Sequence, residues 1–475
     1  MLFYDIYRYL CVITEKAGEL LWGNATLVLF FAVGLLMSHI TDYVQLRHLF
    51  TSIKLSLGGL FKKGEDKGGT SAFQALCTCL GATVGTGNIA GVAAALTLGG
   101  PGAIFWMWVS AFFGMATKYA EALLAVKFRK VKEDEACGGP MYYIKYGLPV
   151  KYSFLSRLFA FFCILASFGM GNMAQVGNIS DALCGAVRIF SDIPEKGVRY
   201  LVGICSIVLL AVVICGRKNR VGRVCEIIVP FMSIMYIIFC LAVILTNITE
   251  LPRTLCLIVS SAIKPRSLAG IPFFFCLRQG VSKGVFSNEA GLGSSAISHA
   301  ASSEKEPYRQ GLMGIFEVFA DTHVLCTLTA LSLLMSGIYI PYGRFSGTPL
   351  VIDSFSTVFG EKVSYILISA SIAFFAFATL LSWSLYGVRC AEFLFGKTAI
   401  PYYKILFLCA TLLGATVHIS LVWQISDIFN ILMAFPNLFA IIKLRSVVKL
   451  ESQKMELFKN GIRLKSKETK ISEKR

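Results

Sequence analysis

The chain has 475 residues, 56% of them hydrophobic and only 15% charged, with a mean hydropathy of +0.68. Soluble domains carry nearer 25% charged residues, so a string of soluble domains is excluded and one polytopic membrane domain is expected. The formal net charge of +17 does not mark a nucleic-acid binder, because the basic residues cluster in loops between apolar runs rather than along one soluble face.

Met1 to Trp22 is aromatic but carries Asp5, Arg8, Glu15 and Lys16, too much charge to span, and is expected at the membrane interface. It has no small-residue cleavage site after an unbroken apolar core, so it does not read as a removable signal. Spans of roughly 20 apolar residues then fall near 23–42, 72–98, 101–126, 153–185, 199–216, 224–246, 271–292, 311–337, 362–387, 402–421 and 423–442. The expectation is an all-α membrane protein of about 11 transmembrane helices.

Loop charge sets the expected orientation. Basic residues crowd the loops after the first span (Arg47, Lys54, Lys62, Lys63, Lys67), the third (Lys127, Arg129, Lys130, Lys132, Lys145, Lys151) and the fifth (Arg217, Lys218, Arg220, Arg223). The tail beyond Ile442 adds eleven basic residues against four acidic ones. Basic loops stay cytoplasmic, which places the N-terminus outside and the C-terminus inside. The chain divides into 1–70 (interfacial segment, extra N-terminal helix and basic loop), a transporter core over 71–446, and a basic cytoplasmic tail over 447–475. The fifteen cysteines are scattered singly and form no metal-site spacing.

Two spans are interrupted. The second contains VGTGN, Val84 to Asn88, in the middle of its apolar run. Freed backbone groups at that depth find no partner in lipid, so such a break is kept where it lines a protected cavity. The seventh reads IPFFFCLRQGVSKGVFSNEAGLG, with Gly280, Gly284, Gly291 and Gly293 among Arg278, Lys283, Ser287, Asn288 and Glu289. These spans open two groups of five, about 71–246 and 271–442, and an odd number of spans per group inverts one against the other. Interrupted helices at matching positions of inverted halves point to a transporter's midplane site. There a half-helix N-terminus offers N–H groups to a carboxylate, and a half-helix C-terminus offers carbonyls to a cation.

With these motifs in place, the run FQALCTCLGATVGTGNIAGVAAALTLGGPGAIFWMWVSAFFGMATKYAEALLAVKFR from Phe73 resembles the alanine or glycine:cation symporter family. GGPMYYI from Gly138, GNMAQ from Gly171, GVFSNEAGLGS from Gly284, GIFEVFADT from Gly314, FAFATLLSWSLYG from Phe375 and WQISDIFNILMAFPNL from Trp423 extend the likeness to about Leu438. The resemblance implies sodium-driven symport of alanine or glycine, L or D, through the bacterial inner membrane. It also implies the five-plus-five inverted repeat of neurotransmitter:sodium symporters, preceded by one extra helix. Partners implied are a small neutral amino acid, Na+ as coupling ion and the bilayer, with no protein partner. A proton-coupled symporter or an amino-acid exchanger on the same scaffold is the alternative.

By resemblance, the amides around Thr86 and Gly87 and the Thr86 hydroxyl bind the substrate carboxylate, although a threonine there is also a good helix cap. Gln175 is a partner for the substrate ammonium, with Asn172 a weaker candidate that could equally bond helix to helix. Phe286, Ser287 and Asn288 line the cavity from the seventh span, and Trp383 walls the side-chain end and limits substrate size. For sodium, the comparison points to the carbonyls of Gly81, Val84 and Phe375 and the hydroxyl of Thr379. Two departures stand out: Ala378-Thr379 where a Ser-Thr pair is usual, one hydroxyl fewer for the ion, and Ser295-Ala296 where Ala-Pro is usual.

Ionisable residues within spans are functional candidates. Lys118 and Glu121, three apart, are expected to pair on one face, and Glu317 and Asp321, four apart, to share one. Proton coupling would run through that carboxylate pair or Glu289. His323 reads as structural and Asp427 as a cap for the last span. An enzyme is not expected: no H-E-x-x-H set and no nucleophile elbow occurs.

Overall fold

A computed structural model of the chain describes residues 2–59, 70–132, 135–216, 219–263, 271–417 and 419–459. Lys62, Lys63, Lys67, Arg217, Lys218 and the tail beyond 459, which entered the charge argument, lie outside the described residues. The protein is a bundle of helices. Among the described residues nine are long and apolar enough to cross a membrane, or ten if the bent pair Ala72–Thr83 and Thr86–Gly99 is one span. The sequence count of about eleven is not reached by length, because the expected seventh span holds a helix of only 16 residues, Phe273–Asn288.

Local chemistry explains the boundaries. Ser71 caps the Ala72–Thr83 helix in a capping box: its hydroxyl accepts from Gln74 N (3.0 Å), and Gln74 Oε1 accepts from Ser71 N (3.2 Å). Pro140 and Pro307 open helices at positions where a missing N–H costs nothing. The segment expected at the interface forms helix Leu2–Leu21, which joins the Asn24–Ile40 helix in one apolar stretch, Cys11–Ile40, and packs on the last long helix.

At the centre lies the 26-residue helix Gly102–Lys127, packed chiefly against Phe273–Asn288 and Pro307–Val318. Two helices carry π-helical stretches, Gly169–Met173 ahead of Ala174–Phe190, and Phe319–Cys326 ahead of Thr327–Met335. Such stretches redirect side chains and recur at functional sites. Four elements were not foreseen: the helices Leu251–Ile263 and Thr348–Phe359, the hairpin of Lys130–Lys132 with Glu135–Cys137, and a helix Arg445–Lys459. The last buries Ser452 and Met455, so the first part of the basic tail is a docked helix.

Candidate functional site

The second span breaks where the sequence places VGTGN. Its first helix ends at Thr83, a single 3₁₀ turn covers Thr86–Asn88, and the second helix starts at Ala90, with the two halves bent by 53°. Asn88 repairs part of the break, its Oδ1 accepting from Gly85 N at 2.9 Å. Gly85 is required sterically, since a Cβ there would stand 2.8 Å from Thr379 Oγ1.

The seventh span breaks after Asn288. Glu289 adopts a left-handed conformation (φ 53°), Gly291 and Gly293 follow at φ 94° and 81°, and a short helix resumes at Ala296–Ala300. A non-glycine residue in that region is strained by its Cβ. It is held by three groups: its carboxylate accepts from Trp383 Nε1 (3.1 Å) and from the Ser294 hydroxyl, and its own N–H bonds Val285 O (2.9 Å).

The two breaks meet. A Cβ on Gly87 would lie 3.6 Å from Ser287 Cα. Asp321, on the π-helical stretch, takes Asn88 Nδ2 (2.7 Å) from the second span and the Ser287 hydroxyl (3.0 Å) from the seventh. The Thr322 hydroxyl donates to its other oxygen at 2.7 Å, and Asn288 Nδ2 donates to Thr322 Oγ1 at 3.1 Å. The Asp321 side chain is fully buried.

Thr86 sits in a chain of amides. Asn178 Nδ2 donates to Thr86 Oγ1 (2.8 Å), Thr86 donates to Gln175 Oε1 (3.1 Å), and Gln175 Nε2 donates to Met170 O (3.1 Å). Asn178 escaped the sequence reading, although it lies three residues after Gln175 and hence on the same helical face. Asn172 turns elsewhere, donating to Phe407 O (2.6 Å) and accepting from Thr411 (3.0 Å), which is a helix-to-helix tie. Phe286 packs on Trp423 (ring centroids 5.1 Å), with Lys283 Nζ 5.7 Å above its ring.

Three of the four expected sodium ligands converge: Thr379 Oγ1 lies 3.0 Å from both Gly81 O and Phe375 O. Val84 closes the helix beside them, its N–H bonding Leu80 O at 2.7 Å. Both contacts are hydrogen bonds of the Thr379 hydroxyl, and carbonyl and hydroxyl oxygens are the ligand type that a hard cation takes. A Cβ on Gly81 would lie 2.8 Å from Ser382 Oγ, so a hydroxyl not counted from sequence stands one turn from the position where Ala378 lacks one.

Trp383 is fully buried, and its ring occupies the space a Cβ on Gly171 would take. The other buried charges correct the sequence pairing. Lys118 pairs with Glu317 (3.2 Å) and donates to Ser295 Oγ (2.7 Å), while Glu317 also meets His299 Nε2 (2.9 Å). Glu121 instead accepts from Asn437 Nδ2 (2.5 Å). Glu317 and Asp321 therefore take different partners. His323 stacks on Phe319 with centroids 5.9 Å apart, and Asp427 lies inside the Ile419–Lys443 helix, not at its cap.

At the end carrying the basic loops, a cavity of about 400 Å³ opens between helices, with Thr78, Ser298, Ser384, Arg389 and Lys404 in its wall. Arg389 ties Glu135 of the hairpin (2.8 Å) to Glu392 (3.0 Å) across its rim. Thr78 precedes Gly81 by one helical turn, so this vestibule approaches the Gly81–Thr379 contact.

Two interrupted helices meeting in a many-helix bundle, with carbonyl and hydroxyl oxygens and side-chain amides gathered around the break of the second span, are the arrangement of a secondary transporter. The model of the sodium:alanine symporter family matches residues 8–469, and the chain belongs to that family. It is 40% identical over 450 residues to the sodium/alanine symporter AgcS of Methanococcus maripaludis, covering 93% of this chain and 96% of that one. It is 36% identical to the probable sodium/glutamine symporter GlnT of Bacillus subtilis, covering 91% and 88%. The crystal structure of MhsT in complex with L-phenylalanine superposes with a TM-score of 0.54 at 15% identity, over 81% of this chain and 97% of that one, a likeness of fold. The protein is thus a multi-pass membrane symporter of the sodium-coupled amino-acid class and not an enzyme.

Proposed function

We propose that the protein carries a small neutral amino acid, alanine or glycine, into the cell together with sodium, by alternating access. The observation that carries this reading is the meeting of the two breaks, Gly87 beside Ser287 and both spans tied to Asp321. In this reading the backbone N–H groups at Thr86 and Gly87 hold the substrate carboxylate. The Gln175 carbonyl oxygen, which already accepts from Thr86, faces the ammonium. Ser287 and Asn288 complete the wall, with Phe286 behind them, and Trp383 bounds the space for the substrate side chain. A small side chain fits because Trp383 is already packed on all sides.

Sodium would bind at Gly81, Val84, Phe375 and Thr379, bracing the second span against the ninth. Ion departure toward the basic-loop end through the vestibule would release that brace and let one bundle rock against the rest. The unit that moves belongs to a core over 71–446, its halves 71–246 and 271–442 inverted on each other, in the inner membrane with the N-terminus outside and the C-terminus in the cytoplasm.

Labelled alanine uptake into proteoliposomes tests the reading. An inward sodium gradient should drive accumulation, and replacing sodium by choline should abolish it. Accumulation that ignores choline replacement but follows an imposed pH gradient would overturn it in favour of proton coupling.

A further inference from the structure

An apolar groove of about 730 Å³ runs down the outside of the bundle between the helices Ser153–Phe168 and Ile419–Lys443, with Leu29 of the first long span on its flank. Its wall is almost wholly hydrocarbon and aromatic: Leu155, Leu158, Leu432, Phe435 and Phe439. Pro436 helps to shape it, since a proline inside a helix removes one backbone bond and pushes the preceding turn aside. The groove's volume lies in the range of sites that enclose a sizeable ligand.

One end of this groove is cationic. Lys151 lines it, with its ammonium 5.1 Å from the Tyr152 ring centroid, and Lys443 stands 5.6 Å from the ring centroid of Phe439. Tyr152 and Phe439 themselves touch, with centroids 5.1 Å apart, so the two ammonium groups crown one aromatic pair from two helices. Both lysines are exposed, and no carboxylate pairs with either among the described residues. An aromatic ring fixes a lysine's stem while leaving the charge free for an anion.

We propose that this groove is a binding site for an anionic phospholipid, with an acyl chain along Leu155, Leu158, Leu432 and Phe435 and the phosphate between Lys151 and Lys443. Charge complementarity selects the occupant. A zwitterionic lipid would set its own ammonium beside two lysines, whereas an anionic headgroup satisfies both. Basic pockets between helices at the cytoplasmic end of spans are a recurrent setting for such headgroups. None of the residues lining the groove belongs to the candidate substrate or sodium set, so the proposal does not rest on that assignment.

The test uses the full chain purified in detergent and native mass spectrometry. Phosphatidylglycerol and phosphatidylcholine of equal chain length are the probes. The wild type should retain phosphatidylglycerol in preference to phosphatidylcholine. The double variant K151A/K443A should bind it about thirtyfold more weakly, the equivalent of about 1 kcal/mol for each lysine near a charged surface. Leu158→Trp, which fills the groove and leaves the lysines intact, should reduce retention of both lipids. Equal retention of the two lipids by the wild type overturns the proposal, as does unchanged phosphatidylglycerol binding in K151A/K443A. Lys145→Ala, a lysine that sits over Phe393 outside the groove, should leave binding unchanged; a loss equal to that of the double variant would reduce the effect to diffuse surface charge and overturn the site.

Discussion

Asn88 and Asp321 are 233 residues apart in sequence and 2.7 Å apart in space. Through that contact one carboxylate holds both interrupted helices, for Ser287 donates to the same Asp321 oxygen. Asp321→Asn keeps one oxygen for Asn88 and Ser287 but loses the charge and turns an N–H toward the Thr322 hydroxyl, which donates to the carboxylate in the wild type. Each strained or lost charge-assisted bond costs about 1.5–3 kcal/mol. Sodium-driven alanine uptake is expected to fall by at least about tenfold, with a lowered melting temperature in detergent. Uptake at wild-type level in this variant would show that the two breaks do not need their shared anchor.

Thr86 both donates to Gln175 and accepts from Asn178. Thr86→Val is nearly isosteric, so expression should survive while uptake is abolished. Asn178→Ala should weaken uptake less, because Thr86 keeps its bond to Gln175 and loses one donor worth about 0.5–1.5 kcal/mol. Equal kinetics for Thr86→Val and wild type would remove the hydroxyl from the substrate site.

Thr379 places its hydroxyl against two carbonyls on different spans. Thr379→Ala should raise the sodium concentration for half-maximal uptake severalfold, whereas Thr379→Ser should leave it near wild type. Ala378→Ser restores the second hydroxyl and should lower it. Sodium titrations of uptake at fixed alanine read all three. A sodium dependence indifferent to Thr379→Ala would place the ion elsewhere.

Much of this site was legible because a broken helix in lipid is costly and advertises itself: VGTGN and GVFSNEAGLG stand out from apolar runs by their glycines and amides. Partners across the bundle were not. Helical spacing tells which residues share a face, so Lys118 with Glu121 and Glu317 with Asp321 looked like pairs, yet Lys118 reaches Glu317 and Asp321 reaches Asn88. The π-helical stretch that carries Asp321 leaves no mark that spacing can detect. The helices Leu251–Ile263 and Thr348–Phe359 were missed because neither carries a run of spanning length.

Trp383 changes its meaning once its partner is known. Sequence reading made it a wall that limits substrate size; the structure adds that its indole bonds the strained Glu289 and packs on Gly171. Trp383→Phe should therefore keep the wall but leave Glu289 short of a donor, lowering stability by about 1.5–3 kcal/mol with little change in substrate range. Trp383→Ala should both destabilise and admit larger amino acids. Competition of labelled alanine uptake by leucine separates the two, and a range unchanged in Trp383→Ala would confine the residue to holding the break.

The docked tail helix gives a pH prediction outside the membrane. Burial alone would raise the Glu451 carboxyl, but Lys127 (2.9 Å) and Lys454 (3.0 Å) outweigh it and hold the group below its ordinary 4.5. A carboxyl depressed by folding stabilises the docked state fully above its free value, and that support is lost as pH falls through the depressed one. Lys127 and Glu451 are 36% and 5% exposed, so screening trims the contribution to about 1 kcal/mol or less. Hydrogen exchange over 445–459 should thus be constant from pH 7 to about pH 5 after correction for intrinsic rates, and faster below about pH 4. Glu451→Gln should show the faster exchange at every pH. If protection in the variant matched wild type at neutral pH, the ion pairs would have no part in holding this helix.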